Sequence, residues 1–174
     1  IPNQVIGKRK IARLVALSRS ANIVVAVEDS GNVTDLSDTA SGAGAELGVI
    51  VEINVGMNRC GVDGDGAVEL AKQIDAAPGL RFDGLMGYEG HTVAERDYET
   101  RKINAEKSMA ILTGAADQIR AAGIDVKLVS AAGTGTYNIS GNVEGVTELQ
   151  CGSYIFMDGD YLEVFNDFEP ALSV

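Results

Sequence analysis

The stretch Val49-Ile50-Val51-Glu52-Ile53-Asn54-Val55, followed at once by Gly56-Met57-Asn58-Arg59-Cys60-Gly61, decides the fold. Its first half is nearly all apolar and β-branched, the composition of a strand buried on both faces. Its second half is glycine, asparagine and arginine, the composition of a loop that leaves a strand and meets something polar. The same unit recurs along the chain. Ile23-Val24-Val25-Ala26-Val27 reads as a strand ended by Glu28-Asp29-Ser30, and Leu80 to Met86 as another, interrupted by Asp83 and Gly84. Val126 to Val129 is a fourth, Thr147 to Met157 contains a fifth, and Val5-Ile6 is the tail of a strand entering from the N-terminal side.

Helical patterns fall between the strands. Residues 8–19 place Ile11, Val15 and Ser18 on one face, with Leu14 and Leu17 beside them. Residues 65–77 repeat Ala67, Leu70, Ala71 and Ile74 at helical spacing. Residues 94–122 repeat Ala105, Met109, Leu112, Ala116 and Ile119, and Gly123 is a stop signal. Residues 30–44, rich in Thr, Ser and Gly, are a weaker helix.

Strand–helix alternation with apolar strands predicts a parallel sheet covered on both faces. An open doubly wound sheet and part of a (β/α)8 barrel both satisfy this. Almost every strand here leaves on polar, glycine-rich sequence: Gly56-Met57-Asn58-Arg59, Gly87-Tyr88-Glu89-Gly90-His91 and Gly133-Thr134-Gly135-Thr136-Tyr137. A barrel recruits nearly all its strand ends to one site, so the expected fold is α/β, a partial (β/α)8 TIM barrel. A complete barrel needs about 250 residues, and the chain has 174.

Composition narrows the function. Of the residues, 45% are hydrophobic and 22% charged, which suits a packed core rather than a disordered tail. The net charge is −11, with a pI near 4.4. Nucleic-acid binding is not expected of such a surface, because phosphate contacts need an excess of Lys and Arg. No run approaches 18 apolar residues, so no membrane span is expected. Two cysteines, Cys60 and Cys151, make no disulfide framework and read as free thiols of a reducing, cytoplasmic compartment. One histidine, His91, cannot supply a multi-histidine metal site. The chain opens on Ile1-Pro2-Asn3-Gln4 and stops as an apolar run begins at Ala171-Leu172-Ser173-Val174, which reads as a piece of a longer chain.

Four segments carry chemistry. Ala132-Gly133-Thr134-Gly135-Thr136-Tyr137 offers backbone N–H groups and hydroxyls suited to an anion, although alone it is equally a glycine-rich turn. It is not a P-loop, having no Gly-Lys-Ser/Thr. Gln150-Cys151-Gly152-Ser153-Tyr154 leaves the next strand, and loops after neighbouring late barrel strands often share a phosphate site. Cys151 reads as packing rather than as a nucleophile. Arg59, between two glycines at a strand exit, is placed to meet an anionic oxygen or is a surface arginine. Tyr88 suits stacking on a planar ligand, and His91 suits acid–base work, unless each is merely packed. Asp158, Asp160 and Glu163 read as a solvated turn or subunit surface rather than a metal site.

Taken in order, Ile1–Gln4, Val51–Val62, Gly84–His91, Ser130–Tyr137 and Glu148–Asp158 resemble the low-specificity D-threonine aldolases. These are fold-type III pyridoxal-phosphate enzymes, related to D-serine dehydratases and to the barrel domain of alanine racemases. The resemblance covers nearly the whole chain. It implies strands three to eight of an alanine racemase-like barrel over residues 1–165, and the start of a C-terminal β domain over 166–174. It implies that Thr134, Gly135, Thr136, Gly152 and Ser153 hold the cofactor phosphate and that Tyr88 stacks on the ring. Arg59 would lie near the phenolic oxygen and Gln150 near the pyridine nitrogen, with His91 on the substrate side. The family's Schiff-base lysine is on the first strand, outside this chain. Lys8, Lys10, Lys72, Lys102, Lys107 and Lys127 do not match its motif. A divalent metal (Mn or Mg) would be held by later residues, also outside the chain. The implied activity is cleavage of small D-β-hydroxy amino acids to glycine and an aldehyde, in an enzyme able to form a homodimer. The piece itself would be inactive. A dehydratase or racemase of the same fold, or a non-catalytic cofactor-binding homologue, remains the alternative.

Overall fold

A computed structural model describes residues 1–157, 159–164 and 167–171. Asp158 of the acidic cluster, and residues 165, 166 and 172–174 at the expected domain boundary, lie outside the described residues.

Five parallel strands form one sheet: β1 (Val24–Val27), β2 (Leu47–Glu52), β3 (Leu80–Gly87), β4 (Leu128–Ala131) and β5 (Glu148–Leu149). Their spatial order is their chain order. A doubly wound sheet reverses order at its switch point, whereas a barrel never does. The N-terminal residues extend the β1 edge. The Ile1 ammonium donates to the Val24 carbonyl (2.7 Å), and Gln4 bridges Ala26 in parallel. The edge segment is thus residues 1–4, just ahead of the Val5-Ile6 pair expected from sequence.

The sheet is curled. Ile1, Pro2 and Val24 at one edge and Glu148, Leu149 and Gln150 at the other line one cavity of about 430 Å³ on the concave face. Ala26, Ile50 and Met86 form a small buried cluster there. The main core lies on the convex face, under α1 (Lys8–Ser18), α2 (Ser30–Gly42), α3 (Gly64–Ala76) and α4 (Tyr98–Ala121). All six residues of β2 are buried, as its apolar run requires.

Two of these helices start on a side-chain cap. The Asp29 carboxylate accepts from Asn32 N–H (3.0 Å) and the Asp97 carboxylate from Thr100 N–H (2.9 Å), capping α2 and α4. Gly123, at φ 88°, lies just beyond the end of α4. In α1 the buried residues are Ile11, Leu14 and Val15, while Leu17 is exposed. Asp83 and Gly84 do not break β3. The register against β2 slips between Val49 and Ile50, so Asp83 is the extra residue of a bulge. Arg81 donates to both Asp83 oxygens (2.8 Å each) and also reaches Glu46 and Asn22. The buried carboxylate therefore has its counter-charge within the same strand.

Candidate active site

Four strand exits converge on a cavity of about 270 Å³ at the C-terminal end of the sheet. It is lined by Arg59 after β2, Tyr88 after β3, Gly133 and Thr134 after β4, and Gln150, Gly152 and Ser153 after β5. Pro2, Asn3 and Tyr161 complete the wall.

Arg59 is presented by a turn that Asn54 builds. The Asn54 Oδ1 accepts from Gly56 N–H (3.2 Å) and Asn58 N–H (3.1 Å), and Asn58 takes a left-handed φ of 55°. The guanidinium carbon lies 5.4 Å from the centre of the Tyr88 ring. One guanidinium nitrogen is 3.8 Å from the buried carboxylate of Glu52. Glu52 also accepts from the Gln4 amide (2.5 Å). Burial raises the Glu52 pKa, and the Gln4 bond and Arg59 only partly oppose it.

Tyr88 stands between two glycines. A Cβ at Gly90 would lie 2.4 Å from one ring edge, and a Cβ at Gly133 would lie 2.9 Å from the other. Glycine at both positions lets the ring pack edge-on against backbone. Burial, more than the hydrogen bond to Tyr161 or the nearby Glu89 charge, pushes the Tyr88 phenol up to about 12.

The β4 and β5 loops are tied together. The Thr134 hydroxyl oxygen accepts from Tyr154 N–H (3.0 Å), leaving its own proton free to donate. Among the described residues, the N–H groups of Thr134, Gly152 and Ser153 have no acceptor. Backbone donors left open around a cavity suit an anion. The Gln150 amide donates to the Ser130 hydroxyl (2.9 Å), which donates to Glu148 (2.5 Å), so an uncharged amide is held at the cavity wall.

Three of the sequence-predicted residues lie elsewhere. Gly135 and Thr136 do not line the cavity. Gly135 packs against the Val93 backbone, and Thr136 is fully buried with its hydroxyl on Glu89. His91 is exposed, its ring edge lying over Gly56. Two residues emerge that sequence reading left aside, Tyr161 and the fully buried Glu89. Glu89 is visible as the acidic residue of the glycine-rich exit of β3, whereas nothing in the sequence marks Tyr161. Burial, with Glu89 adding to it, raises the Cys151 pKa, so its thiolate is scarce at neutral pH. Of the acidic cluster, Glu163 pairs with Arg96 and Asp160 lines a separate small pocket. No three His, Cys, Asp or Glu among the described residues are grouped to hold a metal ion. No helix of the described residues is long and apolar enough to cross a membrane.

Residues 5–160 match the family described as alanine racemase, N-terminal domain. The chain is 41% identical over 163 residues to a 3-hydroxy-D-aspartate aldolase of Paracoccus denitrificans (strain Pd 1222), covering 92% of this chain and 42% of that protein. It is 39% identical over 162 residues to a D-threonine aldolase of Arthrobacter sp, covering 92% and 43%. The crystal structure of D-threonine aldolase from Filomicrobium marinum superposes with a TM-score of 0.94 at 40% identity, over 97% of this chain and 47% of that one. An alanine racemase of Clostridium difficile, at 15% identity and a TM-score of 0.79, shares the fold. The chain thus spans less than half the length of these relatives. With its sequential parallel sheet, its strand-end cavity and a family match over most of its length, the chain belongs to the alanine racemase N-terminal domain family.

Proposed function

We propose that the cavity holds pyridoxal phosphate, and that the chain is the cofactor-binding part of an aldolase acting on small D-configured β-hydroxy amino acids. The observation that carries this reading is the convergence of Arg59, Tyr88, Thr134, Gln150, Gly152 and Ser153 on one cavity. The residues present fit the group. The open N–H groups of Thr134, Gly152 and Ser153, with the Thr134 and Ser153 hydroxyls, suit a phosphate. No side chain crowds Gly152, where a Cβ would meet nothing within 4 Å. Tyr88 offers a ring face held in place, and Arg59 a fixed positive charge beside it.

Bound pyridoxal phosphate supplies an electron sink for the carbanion left when Cα–Cβ breaks. The chain's own residues bind and orient. Arg59, braced by Glu52, sets a cation at the cavity wall, and Gln150 sets a neutral donor–acceptor there. Tyr88 keeps its proton at working pH and serves as a packing surface rather than a base. No lysine lines the cavity, so the Schiff-base lysine is assigned to sequence beyond these residues, as are the ligands of an Mn or Mg ion. Cytoplasmic location and a homodimer belong to the same reading.

The test is to load the full-length protein with pyridoxal phosphate and supply D-threonine or 3-hydroxy-D-aspartate. Glycine and the matching aldehyde are expected. Ammonia with a keto acid would indicate a dehydratase, and the L-enantiomer a racemase. Failure to take up the cofactor would overturn the reading altogether.

A further inference from the structure

Behind the proposed phosphate loop lies a carboxylate that the chemistry above does not use. Glu89 is fully buried. It has no cationic partner among the described ion pairs. Instead it accepts three hydrogen bonds, all from the segment after β4: Ala132 N–H (3.2 Å), the Thr136 hydroxyl (2.7 Å) and the Ser140 hydroxyl (2.5 Å). Its own carbonyl is held from the other side by the Thr92 N–H and hydroxyl (2.9 Å each). A negative charge behind an anion site is electrostatically the wrong sign, so its presence calls for a compensating role.

The donors it takes explain that role. Ala132 sits at a left-handed φ of 68°, a conformation an alanine adopts only when its surroundings impose it. The Glu89 bond to its N–H is such a constraint. With the Ala132, Thr136 and Ser140 donors turned inward, the Thr134 N–H and hydroxyl are left for the cavity. Glu89 also directly follows Tyr88. One buried side chain therefore ties the loop after β4 to the strand exit that carries the ring.

We infer that Glu89 is a positioning residue that shapes the phosphate cup by turning the donors of the loop after β4 inward. The inference rests on the pyridoxal-phosphate reading. Its signature is selectivity for the phosphate end of the ligand. In the full-length enzyme stripped of cofactor, affinities for pyridoxal phosphate and for phosphate-free pyridoxal are compared in wild type, Glu89→Ala, Glu89→Gln and Ser140→Ala. Glu89→Ala strands three donors and is expected to weaken pyridoxal phosphate about tenfold or more, leaving pyridoxal within about twofold. Glu89→Gln keeps an acceptor for Ala132 N–H and lets both hydroxyls reverse, so it restores most of the loss. Ser140→Ala, remote from the cavity, gives a smaller loss with the same selectivity, and it decides the matter if Glu89→Ala does not fold. Equal losses for both ligands, no loss, or no rescue by glutamine would overturn the inference while leaving the cofactor reading standing. A wild-type protein that binds neither ligand would overturn that parent reading instead.

Discussion

The clamp on Tyr88 makes Gly133→Ala a quantitative test of the site's architecture. The new methyl carbon would lie 2.9 Å from the ring carbon Cε2 and 3.2 Å from the hydroxyl. Carbon–carbon contacts are most favourable at about 3.5–4.0 Å, so the ring must retreat by roughly 0.6–1.1 Å. Its opposite edge already rests on Gly90, where even a Cβ would come within 2.4 Å. Retreat in the ring plane is therefore blocked by backbone, and the strain passes into the loop. Overpacking of this kind costs about 1–3 kcal/mol. A displacement of this size also lowers cofactor affinity, since misplacement by about 1 Å can cost a hundredfold in activity. The assay is a double-mutant cycle in equilibrium urea unfolding with wild type, Gly133→Ala, Tyr88→Ala and the double variant. Removing the ring removes the clash, so Gly133→Ala should be nearly silent in the Tyr88→Ala background. A coupling of about 1 kcal/mol or more is expected. Additive effects would show that the ring is not clamped and would refute the account of why glycine stands at both positions.

Three further outcomes follow from buried groups. Burial raises the Glu52 pKa, so the folded state holds its proton more tightly than the unfolded state. Stability therefore falls as pH rises from about 4.3, the unperturbed glutamate value, through the raised folded pKa. Glu52→Gln should flatten that fall in urea unfolding measured between pH 4 and 7, and an unchanged slope would remove Glu52 from the account. In spectrophotometric titration Tyr88 should ionise near pH 12, and Tyr88→Phe should abolish that phase. Gly84→Ala would set a Cβ 2.0 Å from the Leu128 carbonyl oxygen, at a φ of 150°. It should break the pairing of β3 with β4 and cost roughly 3 kcal/mol or more, read as loss of soluble folded protein by circular dichroism.

The strands and long helices were legible because burial writes itself into hydrophobic periodicity. β2 and α4 are read from sequence to within a few residues of their structural limits. Two features were not. The bulge at Asp83 looks like a weakened strand until Arg81 is seen closing on it with two bonds, a contact that spans only two residues but needs the bulge to form. Leu17, next to the last residue of α1, is exposed, which apolar spacing does not encode. The choice between a barrel and an open sheet was legible for a different reason. Polar exits on successive strands make sense only if those exits meet, and a curled sheet in sequential order makes them meet.

The cavity wall was legible for the same reason and to the same depth. Glycines and hydroxyls at strand exits flag backbone exposed to a ligand, and Tyr88, Gly133, Thr134, Gly152 and Ser153, so flagged, line the cavity. The signal says which loop faces a ligand but not which residue within it does. In Gly133-Thr134-Gly135-Thr136 the first two residues line the cavity and the last two do not, so Thr134 reaches it while Thr136 turns to Glu89. Local composition is the same for both threonines. What separates them is an acceptor forty-seven residues earlier in the chain, and a long-range partner of that kind leaves no periodic trace. A buried charge in a strand exit is the nearest sequence clue to one. It identifies a residue whose partners the rest of the fold must supply, and here those partners are the donors that would otherwise compete for the cavity.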